Sequence, residues 1–319
     1  MRTYLIRRLL LVIPTLFLAS LIVFFVIRLV PGDVIDLMIS THDVSASAEL
    51  DREMLEKALG LDVPIHIQYG HWMGNIILHG DLGNSLWKAT PVVDEINARY
   101  PVTFELGVMA LVVALIIAFP IGIYSAIRQD NAGDYIGRSF AILCIAIPSF
   151  WLGTMVVVFP SLWWGWSPPI ELIRFNKEPI GNLQQFIVPA VVLGMALSGV
   201  TMRMTRTMML EVLRQDYIRT AWAKGLTERV IIIRHALKNA LIPVVTLIGL
   251  QMPVLVGGTV IIEQIFCLPG VGLLMLEATT QRDYPIVTGA MLFFAGVVLV
   301  INLIVDISYA YLDPRVHYR

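Results

Sequence analysis

Long runs without a charged residue alternate along this chain with shorter blocks that carry the charges. Six of the runs are long enough to cross a bilayer as a helix, because a hydrocarbon core of about 30 Å needs about 20 apolar residues. These runs cover residues 9–27, 106–127, 139–170, 179–202, 239–262 and 284–305. A charged residue at the centre of a membrane helix costs about 2.5–3.5 kcal/mol, so the charged blocks mark the loops. The pattern predicts six transmembrane helices.

The composition argues against an ordinary soluble protein. Of the 319 residues, 57% are hydrophobic and 15% are charged, whereas about 25% of the residues in a soluble domain are charged. The first run follows Arg2, Arg7 and Arg8, as in a signal peptide. It is longer than the usual apolar core of about 7–15 residues, and no small-residue cleavage site follows it. We therefore expect an all-α integral membrane protein that retains its first helix.

The charges of the loops predict an orientation. Residues 31–101 contain four basic and eleven acidic residues, whereas residues 203–238 contain eight basic and three acidic ones. Basic loops favour the cytoplasmic side of a membrane. We therefore expect the N-terminus and 203–238 inside and 31–101 outside, and six spans return the C-terminus to the inside.

The spans divide the chain into three parts. We expect an N-terminal transmembrane helix in 1–30, an outer segment with short helices in 31–101, and a five-helix core in 102–319 that includes the loop 203–238. The short helices either lie on the outer surface or form a docking surface for an external substrate-delivery protein.

Two amphipathic helices are predicted in the outer segment. Ser47 can cap the first, and Gly60 suits the position just after its end. The second precedes a turn at Gly80–Gly83, and its apolar face consists of Tyr69, Trp72, Met73, Ile76 and Ile77.

Motifs for catalysis and nucleotide binding are missing from the sequence. It contains neither a phosphate-binding G-x-x-x-x-G-K-[ST] motif nor an H-E-x-x-H zinc motif. All six histidines lie outside the predicted spans, so no histidine can activate an intramembrane serine, and Ser198–Gly199 is interpreted as a packing feature. The spacing of His66, His71 and His79 does not suit a metal site. We expect no catalytic residue, metal or cofactor, and a transporter subunit rather than an enzyme.

The spans also contain few polar groups. Ion-coupled secondary transporters usually carry ionisable residues at membrane depth, whereas the charges here lie at span ends. Gln251 and Asn302 are either hydrogen-bond partners between helices or substrate ligands. Together with Gly257 and Gly258, which interrupt the fifth span, they are the candidates for a translocation path. Energy for directional transport must come from elsewhere, and a secondary transporter is the alternative from a different class.

The basic loop 203–238 is the most informative segment. Arg206–Lys224 lacks proline and glycine and is predicted to extend the fourth span as a helix. Gly225 then breaks the pattern, and Thr227 can cap a helix that leads into the fifth span. Such a helix–turn–helix can carry motion from a soluble partner into the membrane, or it can bind anionic lipid headgroups.

A resemblance favours the first interpretation. The run Glu211–Leu226 resembles the coupling loop of ABC-importer permeases, and more narrowly the B-type subunit of the dipeptide/oligopeptide/nickel permease family. Pro31–Asp33, Gly80–Gly83 and Arg282–Pro285 resemble other segments of that family in their order and spacing. The coupling residues that the resemblance implies are Asp216, Tyr217, Arg219, Thr220, Ala221, Trp222, Lys224 and Gly225. Of the general E-A-A-x-x-x-G pattern, Ala221 and Gly225 match, while Trp222 stands where this family commonly has arginine.

The resemblance implies a type I importer fold in the cytoplasmic (inner) membrane. It also implies a homologous second permease, two ATPase subunits that use ATP inside, and a solute-binding protein outside, with no nucleic-acid partner. The expected function is inward transport of small peptides or a related small solute, driven through 203–238. A nickel or glutathione-type solute is the alternative within the family.

Overall fold

The computed structural model describes residues 2–29, 56–57 and 62–312, and the regular secondary structure in these ranges is helical. The helices are α1 (Arg2–Leu29), α2 (Ile65–His79), α3 (Val92–Ile127), α4 (Ala132–Ala146), α5 (Ser149–Trp164), α6 (Pro179–Leu213), α7 (Asp216–Ala223), α8 (Glu228–Ile265), α9 (Val271–Gln281) and α10 (Tyr284–Leu312). The predicted all-α class is confirmed.

Five of these helices, α1, α3, α6, α8 and α10, are long and apolar enough to cross a membrane. The predicted third span is not one straight helix, because α4 and α5 meet at a bend of 92° and count as a sixth span only if taken together. Pro148 precedes α5 and causes the break. A proline disfavours helical geometry in the residue before it, and Ile147 accordingly has extended angles of φ −85° and ψ 119°.

The chain forms two compact units. The first contains Phe104–Leu268 and the end of α10 from Val300, and the second contains the described parts of Ile6–Thr103 together with Pro269–Leu299. The division into 1–30, 31–101 and 102–319 stays a prediction.

In the first unit, glycines bring the helices α3, α4 and α6 into close contact. A Cβ atom on Gly194 would lie 2.5 Å from the carbonyl oxygen of Ala110 in α3, and one on Gly199 would lie 2.7 Å from that of Ala141 in α4. Only glycine fits such an approach, and small residues are typical of interfaces between membrane helices. The packing role predicted for Ser198–Gly199 is confirmed.

In the second unit, α2 packs against α1. The rings of Tyr69 and Trp72 lie 5.2 and 5.3 Å from the ring of Phe24, which is fully buried. Gly80 ends α2 with a φ of 67°. The second amphipathic helix of the outer segment is therefore confirmed, whereas the first, from Ser47 to Gly60, falls mostly outside the described residues.

A buried carboxylate fixes the segment after α2 to the corner between α9 and α10. Asp283 accepts a hydrogen bond from the Ser85 hydroxyl and one of 3.2 Å from the Leu86 amide. The indole of Trp87 donates a bond of 2.8 Å to the carbonyl of Gln281. Because both carboxylate oxygens of Asp283 are used, this contact fixes the position and the orientation of the segment.

Candidate coupling site

The loop between α6 and α8 contains a separate short helix. The helix predicted over Arg206–Lys224 is wrong as one continuous element, because α6 ends at Leu213 and α7 begins at Asp216. The amides of Arg214 and Gln215 bond to carbonyls three residues back, at 3.3 and 3.1 Å. Gln215 is extended, with φ −72° and ψ 149°, so the chain changes direction there.

Burial of one face of α7 explains this break. Ile218 and Ala221, which are three residues apart and therefore on one face, are 1% and 6% exposed. Both belong to a cluster with Met209 of α6, Ala126 of α3, and Ile231, Ala236 and Ala240 of α8. A helix that continued α6 past Leu213 would carry Ile218 away from α8. The turn therefore docks α7 on the ends of three membrane helices.

The opposite face of α7 is open. The side chains of Asp216 and Arg219 are 96% and 75% exposed and form a pair at 3.3 Å, and Tyr217 and Trp222 are about half exposed. Of the eight residues predicted for coupling, seven lie on the exposed side of the loop and Ala221 faces inward.

The elbow after α7 depends on the backbone of Gly225. Its φ is +75°, a region that residues with a Cβ atom adopt at a cost. The amides of Gly225 and Leu226 bond back to the carbonyls of Trp222 and Ala221, at 2.9 and 3.4 Å, which is the pattern of a glycine cap. A Cβ atom here would meet nothing within 4 Å, so conformation rather than space requires the glycine. The predicted break at Gly225 is confirmed, and Thr227 occupies the N-cap position of α8 as predicted.

The first turns of α8 have an unusual geometry. Ile231–Leu237 forms a π-helix, a conformation that is rare and is frequently found at functional sites. Ile231 and Ala236 are fully buried in the cluster beneath α7. The amide of Asn239 donates a hydrogen bond of 2.8 Å to the hydroxyl of Tyr217. These contacts join α7 directly to the start of a membrane helix.

The predicted path residues lie on α8 and α10 and differ in their surroundings. A Cβ atom on Gly258 would lie 2.9 Å from Leu193 of α6, whereas one on Gly257 would meet nothing within 4 Å. Gln251 is half-buried, and Asn302 is exposed in this chain. Gly258 therefore packs α8 on α6, while Gly257 lies on an open face of α8.

An ion pair near this loop was missed by the sequence reasoning. Asp134 is fully buried and accepts two hydrogen bonds of 2.7 Å from the guanidinium of Arg206. The two residues are 72 positions apart, and this separation hides the pair in the sequence. The sequence carries no local signal for the pair, because the burial of Asp134 is visible only in the structure.

In residues 2–29, 56–57 and 62–312 there is no group of three or more histidine, cysteine, aspartate or glutamate residues that could hold a metal ion.

Two family models together match nearly the whole chain. Residues 118–318 match the family described as binding-protein-dependent transport system inner membrane component. Residues 1–107 match the model of the N-terminal part of such membrane components.

Known proteins resemble the chain over its full length. It is 40% identical over 323 residues to the oligopeptide transport system permease protein AppB of Bacillus subtilis, with 100% of both chains covered. It is 37% identical over 342 residues to the dipeptide transport system permease protein DppB of Escherichia coli K12, again with 100% of both covered.

A solved structure shares the fold. An inward-facing structure of the MetNI methionine ABC transporter matches with a TM-score of 0.54 at 16% identity, over 68% of this chain and 96% of that one. At this identity the match shows the fold alone, which is that of a type I ABC permease. The chain belongs to the family of binding-protein-dependent transport system inner membrane components, whose members are multi-pass permease subunits of ABC transporters.

Proposed function

We propose that this permease subunit carries small peptides inward and is driven through α7 by a separate ATPase. The two faces of α7 carry the proposal, because one face is buried on three membrane helices while the other is open to a partner. The full-length relatives, which are oligopeptide and dipeptide permeases, support the peptide class.

The exposed face of α7 suits docking to a soluble protein. Tyr217, Trp222 and Leu226 are large side chains that remain 36–49% exposed, beside the charged groups of Asp216 and Arg219. Aromatic residues and arginine are enriched where proteins bind one another. A shift of the bound partner pushes α7, and the buried cluster of Ile218 and Ala221 passes that shift to the membrane helices.

The proposed assembly contains two ATPase subunits, a homologous second permease and an external solute-binding protein. ATP is available in the cytoplasm, so α7 and both termini lie on that side of the cytoplasmic membrane. This orientation agrees with the excess of basic residues in 203–238. The segment after α2, which Asp283 holds in place, then faces the solute-binding protein.

The proposed solute path runs between this subunit and the second permease. Leu250, Val254, Gly257 and Ile261 recur at helical spacing on α8 and form an open face. Gly257 has no side chain and leaves room beside this face, where Gln251 and Asn302 supply polar groups. The other face of α8 packs on α6 through Gly258.

Reconstitution tests this function. The chain is purified with its partner subunits, placed in lipid vesicles with enclosed ATP, and supplied with the binding protein and radiolabelled dialanine or trialanine. We expect uptake to require ATP and every subunit. Unlabelled peptides should compete with the labelled peptide and reduce its uptake more than nickel ions or glutathione do. Uptake by this chain alone, driven by an ion gradient without ATP, would contradict the proposal and indicate a secondary transporter.

A further inference from the structure

The ion pair between Asp134 and Arg206 has a geometry that a surface contact would not need. Asp134, the third residue of α4, is fully buried, and Arg206 of α6 is 18% exposed. Both guanidinium bonds measure 2.7 Å, and the backbone amide of Asp130 adds a third bond of 3.0 Å to the same carboxylate. Two parallel bonds from a planar guanidinium fix the relative orientation of the two helices as well as their distance.

Stability alone does not explain such a pair. Removing two charges from water has a desolvation free energy that offsets much of their attraction. A protein with apolar residues of similar volume in place of a buried ion pair is therefore often equally stable. The neighbouring pair of Arg128 and Glu228 offers a comparison, because it spans 3.8 Å and both side chains are about half exposed. Exposed pairs of that kind contribute little.

The position of the ion pair connects it to α7. Arg206 lies three residues before Met209, which is buried against Ile218 and Ala221 of α7. Asp134 lies just after the turn from α3, and Ala126 near the end of α3 belongs to the same cluster. The contacts therefore close a ring that runs from α7 through α6, the ion pair, α4 and α3 back to α7.

The turn within this ring is tightly packed. A Cβ atom on Gly133 would lie 2.5 Å from the ring of Tyr124, and Asp130 has a φ of 63°. Such a turn holds the start of α4 close to the end of α3. The packing of Gly199 on Ala141 already holds the middle of α4 against α6, and the two bonds between Asp134 and Arg206 fix the orientation of the first turn of α4.

We propose that Asp134 and Arg206 are positioning residues for transport, which make the first turn of α4 move as one body with α6 when α7 is displaced. This inference rests on the proposed drive through α7. Without the two-point contact, the shift of α7 still reaches α6 and α8, but the first turn of α4 no longer follows α6 rigidly. ATP is then hydrolysed with less solute moved.

Two variants separate positioning from stability. Asp134→Asn removes the charge and leaves Arg206 without its partner. Arg206→Lys keeps the buried positive charge but replaces the planar fork with a point charge, so the fold is retained and the orientation is lost. Glu228→Gln, which breaks the exposed pair, is the matched control.

Spin labels report whether α4 and α6 move together. In the assembled complex in lipid nanodiscs, with Cys144→Ala and Cys267→Ser, labels are attached at Ile136→Cys on α4 and Thr207→Cys on α6, two exposed positions. The distance between the labels is measured without nucleotide and after trapping with ATP and vanadate. We expect trapping to leave the label distance unchanged in the protein with the ion pair intact and in Glu228→Gln. In Arg206→Lys we expect trapping to shift or broaden the label distance. A shift with the pair intact, or none in Arg206→Lys, would overturn the inference.

The ratio of dialanine moved to ATP hydrolysed gives the functional result. In Arg206→Lys and Asp134→Asn we expect it to fall by about tenfold, within the usual range of coupling between sites. Full coupling in a well-assembled Arg206→Lys complex would show that the pair serves stability only. If the unaltered complex moves no peptide, the peptide proposal fails, while the label distances still test the ion pair.

Discussion

Removing the side chain of Ile218 tests how α7 is held on the membrane helices. Ile218 is 1% exposed and packs in the cluster with Met209, Ile231 and Ala236. Ile218→Ala removes three carbon atoms from this site and leaves a cavity, while the helix-forming tendency of α7 is kept, since alanine is the best helix former. The variant therefore weakens the docking of α7 without unwinding it.

The size of the effect follows from burial. Three methyl or methylene groups at about 0.8 kcal/mol each give about 2.4 kcal/mol, and the cavity brings the expected loss to about 3 kcal/mol. If α7 opens as one unit, its opening equilibrium rises by about 100-fold, because each 1.4 kcal/mol is about tenfold.

Hydrogen exchange followed by mass spectrometry measures this opening. Peptides that cover Asp216–Ala223 should lose protection by about two orders of magnitude in Ile218→Ala, while peptides from α3 stay unchanged. Arg219→Ala, on the exposed face, should change the exchange of α7 by less than about twofold. Unchanged protection of α7 in Ile218→Ala would refute the view that this face anchors it.

Two further predictions concern packing and the outer segment. Gly194→Ala places a Cβ atom 2.5 Å from the carbonyl oxygen of Ala110, so overpacking should lower the stability of the purified protein by about 1–3 kcal/mol. Gly257→Ala, at an open position, should leave the thermal unfolding temperature unchanged, and equal temperatures for both variants would contradict the close packing of α3 and α6. Asp283→Ala removes the acceptor for Ser85 and Leu86, so trypsin should cut after Lys88 about 10-fold faster or more. The same cleavage rate as in the unaltered protein would argue against the role of Asp283.

The uncharged runs were enough to predict most of the membrane helices, because the cost of a charge in lipid sorts residues strongly. The bend between α4 and α5 was missed although Pro148 lies at its centre. Proline is tolerated in many membrane helices, and Pro189 and Pro253 indeed lie inside α6 and α8. A proline alone therefore does not predict a bend of 92°.

The loop 203–238 contains one helix break that local sequence signals predict and one that they do not. Gly225 was recognised because positive φ favours glycine in any context. The break at Arg214–Gln215 has no such marker, since neither residue opposes a helix. It exists because Ile218 and Ala221 are buried against residues from α3, α6 and α8, and those neighbours are distant in sequence.

The most direct test of coupling through α7 is the Gly225→Asp variant. Aspartate tolerates a positive φ better than most residues, and nothing lies within 4 Å of the new Cβ atom, so the chain should fold and insert normally. Gly165→Asp is the matched control, because Gly165 also has a positive φ of 65° and open surroundings but lies at the end of α5.

The decisive measurement is the amount of peptide moved per ATP hydrolysed by the reconstituted importer. Gly225→Asp places a negative charge at the turn after α7, next to the proposed ATPase contact. We predict that this ratio falls by about tenfold or more in Gly225→Asp, while Gly165→Asp keeps the unaltered ratio. An unaltered ratio in a fully assembled Gly225→Asp complex would contradict the claim that energy enters through this loop.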